Sequence, residues 1–449
     1  HRFSNQLVDG KHPLPRINQQ PPEDSARLIM FTIATSGDDS SDRIRSKLDA
    51  QKLRPGHAMD PYFYRSHLVH EIELENLIFK SWLYALHSSE IPKAGDYQLV
   101  EIGEDSIIVV RDNKGHICAM HNICRHRGAR VCEDPVGNRK TFVCPYHGWV
   151  YNTDGSLKAA RETHVMANFD PSRHGLKQVR CVEYMGLIFV NCDSEAGDLL
   201  ESLDNIKDPL GAYDLANAKV AHRNRYRINA NWKLVVENYL ECYHCATSHR
   251  AYAKLHTLKD LNEKSAPIVQ KMLDSADQVT GIPGISKEHT EIYLDAPSFG
   301  ACAHTMRYGL FDGFVTGSKD GKPVAPLMGN IKNYDGGAGD FQLGPLAFML
   351  NYPDHCVLYR ILPRSLTETD MELVWFVRGD ALEGRDYNVD EVTWLWHHTT
   401  QEDDYIITRN SAGVNSRFFE PGPYHPEFEA TLQQFIQWYL HTLERAVTP

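Results

Sequence analysis

The spacing of hydrophobic residues divides the chain into segments of different character, and the N-terminal segment has the weakest pattern. Residues 1–45 carry polar clusters such as Gln-Gln-Pro-Pro with little periodicity, so we predict an extended arm without a packed core. From Pro61 to Trp82 the apolar residues recur at helical spacing. This spacing predicts a largely helical segment over residues 46–81.

Short apolar runs broken by turn residues follow, which is the pattern of an all-β domain. Ser106–Arg111 predicts a buried strand, Asp112–Gly115 a hairpin turn and His116–Met120 the partner strand. The acidic segment Asp193–Asp198 is the best candidate for a domain boundary. We therefore predict a small all-β domain over residues 82–195.

The rest of the chain, residues 196–449, mixes helix and strand signals. The pattern predicts three helices, which run from Asn231 to about Cys245, from Val389 to about Asn410, and from Pro426 to Arg445. It also predicts one antiparallel hairpin, formed by Cys356–Leu362 and Met371–Val377 around a turn at Thr367–Asp370. The fold class of the chain is therefore predicted to be α+β.

Composition and charge narrow the classes of protein to consider. A chain of 449 residues is too long for one ordinary core, so two domains are expected. The net charge of −12 and the lack of a basic block argue against a nucleic-acid partner. No run of about 18 apolar residues occurs, so we expect no membrane span. Ten cysteines, mixed with histidines, favour metal binding in a reducing compartment, for which the cytoplasm is the default.

Two short motifs place cysteine and histidine in mixed pairs. Cys124-Arg-His126 is followed, after seventeen residues, by Cys144-Pro-Tyr-His147. A Rieske [2Fe-2S] cluster needs this set of ligands, with two thiolates on one iron and two imidazoles on the other. A structural zinc site uses the same residue types, but zinc-finger pairs usually run Cys-Cys and then His-His. The mixed pairs favour the Rieske cluster, with zinc as the alternative.

A second constellation lies in the segment Glu237–His249. It carries His244 and His249, which are five residues apart. On an ideal helix that spacing separates two side chains by about 140°, so both point at one ion only if the helix ends between them. Thr247 and Ser248 compete for backbone hydrogen bonds and favour such an ending.

A carboxylate from elsewhere in the chain could complete this second site. The predicted helix after Val389 carries Gln401-Glu-Asp403-Asp404. Two histidines and one carboxylate form the facial triad of non-haem Fe(II) oxygenases, which leaves positions open for O2. A structural histidine pair is one alternative. The segment Cys242-Tyr-His-Cys245 could instead be a redox motif, although it lacks the strand-to-helix frame of such motifs.

With both constellations considered, residues of about 60–430 resemble the α subunit of the Rieske non-haem iron oxygenases, the ring-hydroxylating oxygenase group. The resemblance implies an all-β Rieske domain and a helix-grip catalytic domain, an antiparallel sheet wrapped on a long helix. It assigns residues 46–81 and 196–449 to the catalytic domain. It implies that the cluster ligands are Cys124, His126, Cys144 and His147. It implies that the mononuclear Fe(II) ligands are His244, His249 and Asp403, with Asp404 as the alternative carboxylate.

The resemblance also implies a catalytic role for Glu241. Many members have an acid at this position, which accepts a hydrogen bond from a cluster histidine of the neighbouring subunit, and His147 matches that histidine. Glu241 would then orient the electron-donating imidazole, and a homotrimer is expected. The alternative for Glu241 is a solvated helix acid. Respiratory Rieske proteins usually have a disulfide cysteine where this chain has Tyr146, which argues against an electron-transfer protein without catalysis.

Within the group, the chain looks most like enzymes that oxidise quaternary ammonium compounds of the choline, glycine betaine, stachydrine and carnitine types. The similarity lies in Glu241–Cys245 and Ser416–Tyr424, and the chain departs from the pattern at Thr408 and Ser411. An N-methyl cation needs aromatic faces around it. Candidate rings between the motifs are Tyr293, Phe299, Tyr308, Phe311, Phe314, Phe341 and Phe348.

The resemblance implies a terminal oxygenase that activates O2 and hydroxylates a small organic substrate, with loss of formaldehyde where an N-methyl group is hydroxylated. No plant-type ferredoxin motif and no flavin or nicotinamide fold is recognised in the sequence. Electrons are therefore expected from a separate NAD(P)H-dependent reductase of the flavin or ferredoxin type. The alternatives are a ring-hydroxylating dioxygenase of an aromatic acid or hydrocarbon, and a Rieske electron carrier or zinc protein whose second site is structural.

Overall fold

The structure is a computed structural model that describes residues 39–257, 265–282 and 303–448. Most of the predicted N-terminal arm, residues 1–38, lies outside the described residues. The predicted arm extends to residue 45, and this boundary was wrong, because a helix begins at Ser41. Ser40 caps this helix, since its hydroxyl accepts a hydrogen bond from the backbone N–H of Arg43 at 3.2 Å.

The elements follow in chain order. The helices are α1 (Ser41–Lys52), α2 (Tyr62–Arg65), α3 (His67–Glu73, continued by a π-helical turn Leu74–Ile78), α4 (Leu199–Ser202), α5 (Lys207–Gly211), α6 (Trp232–Tyr239), α7 (Cys245–Ser248), α8 (Arg250–Leu255), α9 (Ala266–Val279), α10 (Val389–Val414) and α11 (Ala430–Val447). The strands are β1 (Leu83–His87), β2 (Asp96–Ile102), β3 (Asp105–Arg111), β4 (Ile117–His121), β5 (Val136–Asn138), β6 (Thr141–Val143), β7 (Val150–Asn152), β8 (Leu157–Ala159), β9 (Gln178–Tyr184), β10 (Leu187–Asn191), β11 (Ala218–Ile228), β12 (Ala303–Gly309), β13 (Gly337–Leu343), β14 (Ala347–Asn351), β15 (Cys356–Ser365) and β16 (Glu368–Arg378). None of the helices in the described parts of the chain is long and apolar enough to cross a membrane.

The predicted all-β region forms two antiparallel sheets. In the described residues the larger sheet has the strand order β1-β10-β9-β4-β3-β2-β5 and the smaller one the order β6-β7-β8. The hairpin of β3 and β4 is confirmed, with Ile108 opposite Met120. Its turn is stabilised by Asp112, whose Oδ1 accepts hydrogen bonds from the N–H groups of Lys114 and His116, both at 2.8 Å. The two sheets together present the paired loops that carry the mixed Cys-His motifs.

The second region is built on a single antiparallel sheet and one long helix. Within the described residues the strand order is β11-β16-β15-β14-β13-β12, and the 26-residue α10 packs against β11, α6 and α8. The predicted hairpin is confirmed as β15 and β16, although Asp370 lies in the ladder opposite Leu362 and the turn is only Leu366-Thr367. The α+β prediction, with a helix-grip second part, is confirmed.

The helix predicted from Asn231 to about Cys245 is shorter than the sequence indicated. It ends at Tyr239, and α7 is a separate turn. The carboxylate of Glu241 accepts hydrogen bonds from the backbone N–H groups of Tyr243 and His244. Because a side chain satisfies these donors, the backbone between α6 and α7 leaves the helical path.

A buried ion pair ties the N-terminal helices to this second region. The ammonium of Lys233 on α6 lies 2.6 Å from Oε1 of Glu73 on α3, and the side chains are 0% and 1% exposed. Oε2 of Glu73 accepts a hydrogen bond from the indole of Trp232 at 2.8 Å, and the hydroxyl of Tyr439 on α11 donates to Oε1. The carboxylate is thus fully paired, and it fixes α6 against α3 and α11.

We predict that Lys233→Met destabilises the protein by about 3–5 kcal/mol, because it leaves the Glu73 carboxylate buried without a counter-charge. The measurement is urea denaturation followed by tryptophan fluorescence. Lys52→Met is the matched control, since Lys52 pairs with Glu444 at an exposed position on α1 and should change the free energy of unfolding by less than about 1 kcal/mol. Equal stability of the two variants would contradict the role given to the buried pair.

Candidate metal centres and active-site cavity

The two Cys-His loops have the same backbone design. The N–H of Cys124 donates to the carbonyl of Ala129 at 2.8 Å, and the N–H of Gly128 donates to the carbonyl of Cys124 at 3.0 Å. Around Cys144 the same two bonds recur with Trp149 and Gly148, at 2.8 and 3.0 Å. Gly128 and Gly148 have φ of +79° and +72°, which side chains with a Cβ rarely adopt. The two loops therefore present their side chains in equivalent ways.

The four predicted cluster ligands separate into a sulfur pair and a nitrogen pair. Cys124 and Cys144 are buried, whereas His126 and His147 lie at the surface with their Nδ1 atoms 3.1 Å apart. Two buried thiols and two surface imidazoles in separate pairs fit a two-iron cluster, with the thiolates on one iron and the imidazoles on the other.

Tyr151 contacts the sulfur side of this site. Its hydroxyl lies 3.2 Å from Sγ of Cys124 and accepts a hydrogen bond from the N–H of Arg125 at 3.0 Å. A hydroxyl that donates to a cluster sulfur stabilises the reduced cluster and raises its reduction potential. The indole of Trp149 stacks on the imidazole of His126, with ring centroids 5.1 Å apart and an interplanar angle of 10°. Tyr151 thus contacts the first loop at its cysteine, and Trp149 contacts the same loop at its histidine.

The second site lies after the break that ends α6. His244 precedes α7 and His249 follows it, so a single helical turn separates them and their side chains converge. The two Nε2 atoms are 3.0 Å apart. Oδ1 of Asp403 on α10 lies 2.9 Å from Nε2 of His249 and 3.5 Å from Nε2 of His244. Three potential ligand atoms thus meet at one point, and this donor set fits the facial triad of a mononuclear Fe(II).

The structure distinguishes the two candidate carboxylates on α10. Asp403 is buried and faces both histidines. Asp404 accepts a hydrogen bond from the hydroxyl of Thr408 at 3.2 Å, one turn along the same helix. Asp403 is therefore the residue that the fold brings to His244 and His249.

The electrostatics of this site favour a bound cation. Burial alone lowers the pKa of His244, but hydrogen bonds to Asp403 and Glu241 outweigh it and raise that pKa to about 9. Burial also lowers the pKa of His249, but its carboxylate partners Asp403 and Glu402 outweigh this effect and raise that pKa. Burial raises the pKa of Asp403, yet the hydrogen bonds from the two histidines reverse this and lower it. The surrounding acids thus attract positive charge, which a divalent metal supplies more fully than protons do.

Each histidine of this site has a carboxylate on its other ring nitrogen. Nδ1 of His244 lies 2.5 Å from Oε1 of Glu241, and Nδ1 of His249 lies 3.0 Å from Oε2 of Glu402. A carboxylate at Nδ1 keeps the proton there and leaves the lone pair of Nε2 for the metal. The sequence interpretation missed Glu402, although this residue directly precedes Asp403 and the pattern of carboxylates there was visible.

A cavity adjoins His244, His249 and Asp403. Its wall contains five large aromatic side chains, which are Tyr239, Tyr252, Tyr308, Tyr359 and Trp396. The side chains are locked by ring contacts, since Tyr239 lies 5.2 Å from Tyr359 and Tyr252 lies 5.5 Å from Trp396, centroid to centroid. The cavity therefore offers rigid aromatic faces next to the candidate iron.

Most of the rings that the sequence suggested for this wall were wrong. Among the members of that set that the structure describes, only Tyr308 lines the cavity. Phe348 stacks behind Tyr239 at 4.3 Å, and Phe341 packs on the opposite face of the sheet against Tyr213. Phe311 and Phe314 are not part of the wall. Tyr293 and Phe299 lie outside the described residues.

The missed rings had a recognisable signal. Tyr252 lies three residues after His249, and Trp396 lies seven residues before Asp403, which is two helical turns and therefore the same helix face. Cys242 and Cys245, the alternative redox motif, also line the cavity and are joined in a disulfide. A reducing compartment, as the sequence predicted, implies free thiols, but these two cysteines are paired.

We predict that Glu402→Ala lowers the affinity of the second site for Fe(II) or Co(II) by about 10- to 100-fold, because His249 loses the partner that orients it. The measurement is metal retention in competition with a chelator, while the visible absorbance of the cluster should stay unchanged. Asp404→Ala removes the same charge from the neighbouring position and is the control. Equal metal retention by both variants would refute the positioning role of Glu402.

Comparison with known proteins agrees with this site chemistry. The family model of the Rieske [2Fe-2S] domain matches residues 81–170, and that of the ring hydroxylating alpha subunit (catalytic domain) matches residues 215–445. The glycine betaine monooxygenase oxygenase subunit of Pseudomonas aeruginosa (strain UCBPP-PA14) is 35% identical over 381 residues, which cover 84% of this chain and 87% of that protein.

Solved structures show the same fold. The quaternary ammonium Rieske monooxygenase CntA in complex with L-carnitine matches with a TM-score of 0.64 at 21% identity, covering 87% of this chain and 97% of that chain. Naphthalene 1,2-dioxygenase from Rhodococcus sp. bound to indole matches with a TM-score of 0.63 at 22% identity, covering 90% and 98%. This chain belongs to the Rieske non-haem iron oxygenases, as an oxygenase component with a Rieske [2Fe-2S] cluster and a mononuclear iron.

Proposed function

We propose that this oxygenase component hydroxylates an N-methyl carbon of a small quaternary ammonium compound. The observation that carries the proposal is the wall of five aromatic rings beside His244, His249 and Asp403. The relative named as a glycine betaine monooxygenase and the neighbour solved with L-carnitine support the same substrate class.

The physical basis is the attraction between a cation and aromatic faces. A tetraalkylammonium group has no N–H and forms no hydrogen bond as a donor, so ring faces are its best partners, with indole the strongest. Burial raises the pKa of Tyr252 and Tyr359 far above neutrality. Their hydroxyls therefore stay protonated, and the rings act as neutral π-faces instead of as phenolates.

Three groups of side chains have separate roles in the proposed reaction, namely the cluster ligands, the iron ligands and the aromatic rings. We assign the cluster to Cys124, His126, Cys144 and His147 and the iron to His244, His249 and Asp403. When bound there, the cluster would supply single electrons and the iron would activate O2 beside the substrate. Two electrons, two protons and O2 convert one N–CH3 group to N–CH2OH and release one water. The N–CH2OH product then loses formaldehyde and a proton, which leaves a tertiary amine. The rings hold the ammonium and exclude water from the reacting carbon.

The chain takes its electrons from a separate reductase, which we propose to be NAD(P)H-dependent and of the flavin or ferredoxin type, with both proteins in the cytoplasm where that cofactor is regenerated. We also propose the division of the chain that the sequence predicted, with residues 82–195 as the Rieske domain and residues 46–81 and 196–449 as the catalytic domain. The packing of Glu73 against Lys233 and Tyr439 supports the assignment of the N-terminal helices.

We further propose a homotrimer in which the cluster of one subunit faces the iron of the next. His126 and His147 lie at the surface, where an exposed basic group surrounds them, formed by Arg125, Arg127 and Arg130. The outer side of the iron site carries an exposed aromatic group with a carboxylate beside it. Tyr243 is 56% exposed and stacks on Phe428 beside the exposed Glu427. Opposite charge on the two faces favours their association.

The substrate class is tested by turnover with a reconstituted reductase. We expect about three irons per chain, the visible bands of an oxidised Rieske cluster, and formaldehyde release with O2 uptake when betaines are supplied. Aromatic acids and hydrocarbons, tested at the same concentrations, should give neither product nor coupled O2 uptake. Turnover of an aromatic acid without formaldehyde release would support a ring-hydroxylating dioxygenase instead. Two irons per chain and no turnover would indicate an electron carrier.

We predict that Glu241→Gln leaves cluster and iron bound but slows turnover sharply, because an amide still accepts the backbone N–H groups of Tyr243 and His244 but carries no charge. The decisive measurement is the rate at which O2 and substrate reoxidise the reduced cluster in a single turnover. Glu427→Gln removes an exposed charge nearby and serves as the control. A cluster reoxidation rate equal to that of the unchanged protein would refute the bridging role of Glu241.

A further inference from the structure

Asp340 is a buried carboxylate on the cavity side of the catalytic sheet. It lies on β13, is 4% exposed, and pairs across the ladder with Leu350 of β14. Residues directly opposite each other in a ladder point to the same face of the sheet. Leu350 lines the cavity beside the iron site, so Asp340 faces the cavity side as well. Its neighbour along the strand, Phe341, points to the other face.

The carboxylate lies directly behind the aromatic wall. The hydroxyl of Tyr239 donates a hydrogen bond to Oδ1 of Asp340 at 3.4 Å, while the ring of Tyr239 lines the cavity. Two further rings of the wall feel the same charge. Burial is the main cause that raises the pKa values of Tyr252 and Tyr308, and the negative charge of Asp340 adds to it in both. One carboxylate thus contacts one of the five rings and acts electrostatically on two more.

This arrangement suits a cation that has no N–H group. A quaternary ammonium forms no hydrogen-bonded ion pair, and its charge is spread over methyl groups that rest on ring faces. A carboxylate one ring away is still close enough to attract it, because the buried, water-poor surroundings weaken the field much less than water does. A molecule of the same shape without the positive charge would gain no attraction from Asp340 and would keep only its contacts with the rings.

We propose that Asp340 is the residue that makes the cavity select a substrate with a quaternary ammonium group over an isostere in which carbon replaces the nitrogen, an inference that rests on the proposed function. Asp340 is a specificity-determining residue and not a catalytic one, since rings separate it from the position of the substrate. The competing explanation is that Asp340 only anchors the Tyr239 hydroxyl. Tyr239→Phe separates the two, because it removes the hydroxyl and keeps both the ring and the charge of Asp340.

The test compares two ligands of equal shape on the iron- and cluster-loaded protein by calorimetry. Glycine betaine carries the trimethylammonium group, and 3,3-dimethylbutanoate replaces its nitrogen with carbon. In the unchanged protein we expect betaine to bind more tightly than the isostere. Asp340→Asn should weaken betaine binding at least tenfold, about 1.4 kcal/mol, and leave or slightly improve binding of the isostere. Tyr239→Phe should keep the preference for the cation.

Two controls separate the possible failures. Asp390→Asn removes an exposed charge from the first turn of α10 and should leave both affinities unchanged. Asp340→Glu keeps the charge and should keep the preference, which excludes misfolding as the cause of a loss in Asp340→Asn. If the unchanged protein binds no betaine, choline or carnitine, the proposed function fails and this inference with it. If it binds them and Asp340→Asn retains the preference for the cation, only the assignment of Asp340 is overturned.

Discussion

The catalytic half of this protein depends on the ending of one helix. His244 and His249 are five residues apart, a spacing that sends side chains in different directions on a continuous helix. Their Nε2 atoms meet at 3.0 Å because α6 ends at Tyr239 and only the single turn α7 separates them. Glu241 enforces this ending by accepting backbone N–H groups, and the same side chain orients His244 through Nδ1. One carboxylate therefore shapes the backbone and the ligand together.

The ending of α6 would be of no use if the helix itself could shift. The buried Lys233–Glu73 pair fixes α6 against α3 and α11, and α10 then packs against α6 and α8 so that Asp403 reaches both histidines. A buried ion pair is weak evidence for net stability, but it tolerates little displacement, because a carboxylate that loses its partner in the interior is strongly disfavoured. The positions of the two histidines and Asp403 thus depend on an ion pair, Lys233–Glu73, that lies outside the iron site.

The sequence was informative where chemistry is local and uninformative where it depends on the folded sheet. Ligand spacing in Cys124–His147 and Glu241–His249 could be read directly, as could the helix that carries Asp403. The cavity wall could not, because Tyr359 and Trp396 come from separate elements and Asp340 meets Tyr239 across 101 residues. The choice of Phe341 failed for a simple reason. Alternate residues of a strand face opposite sides, and neither the register nor the buried face of β13 was known.

A facial triad of two histidines and one carboxylate says little about what is oxidised, since it serves many substrates. The selection of substrate has to come from the groups that surround the open positions. Here these groups are neutral aromatic rings, kept protonated by burial, with a carboxylate behind them. Such a wall gives a flat, non-directional attraction for positive charge. This attraction supports the proposed recognition of a quaternary ammonium group, and it leaves discrimination among such compounds to the rest of each molecule.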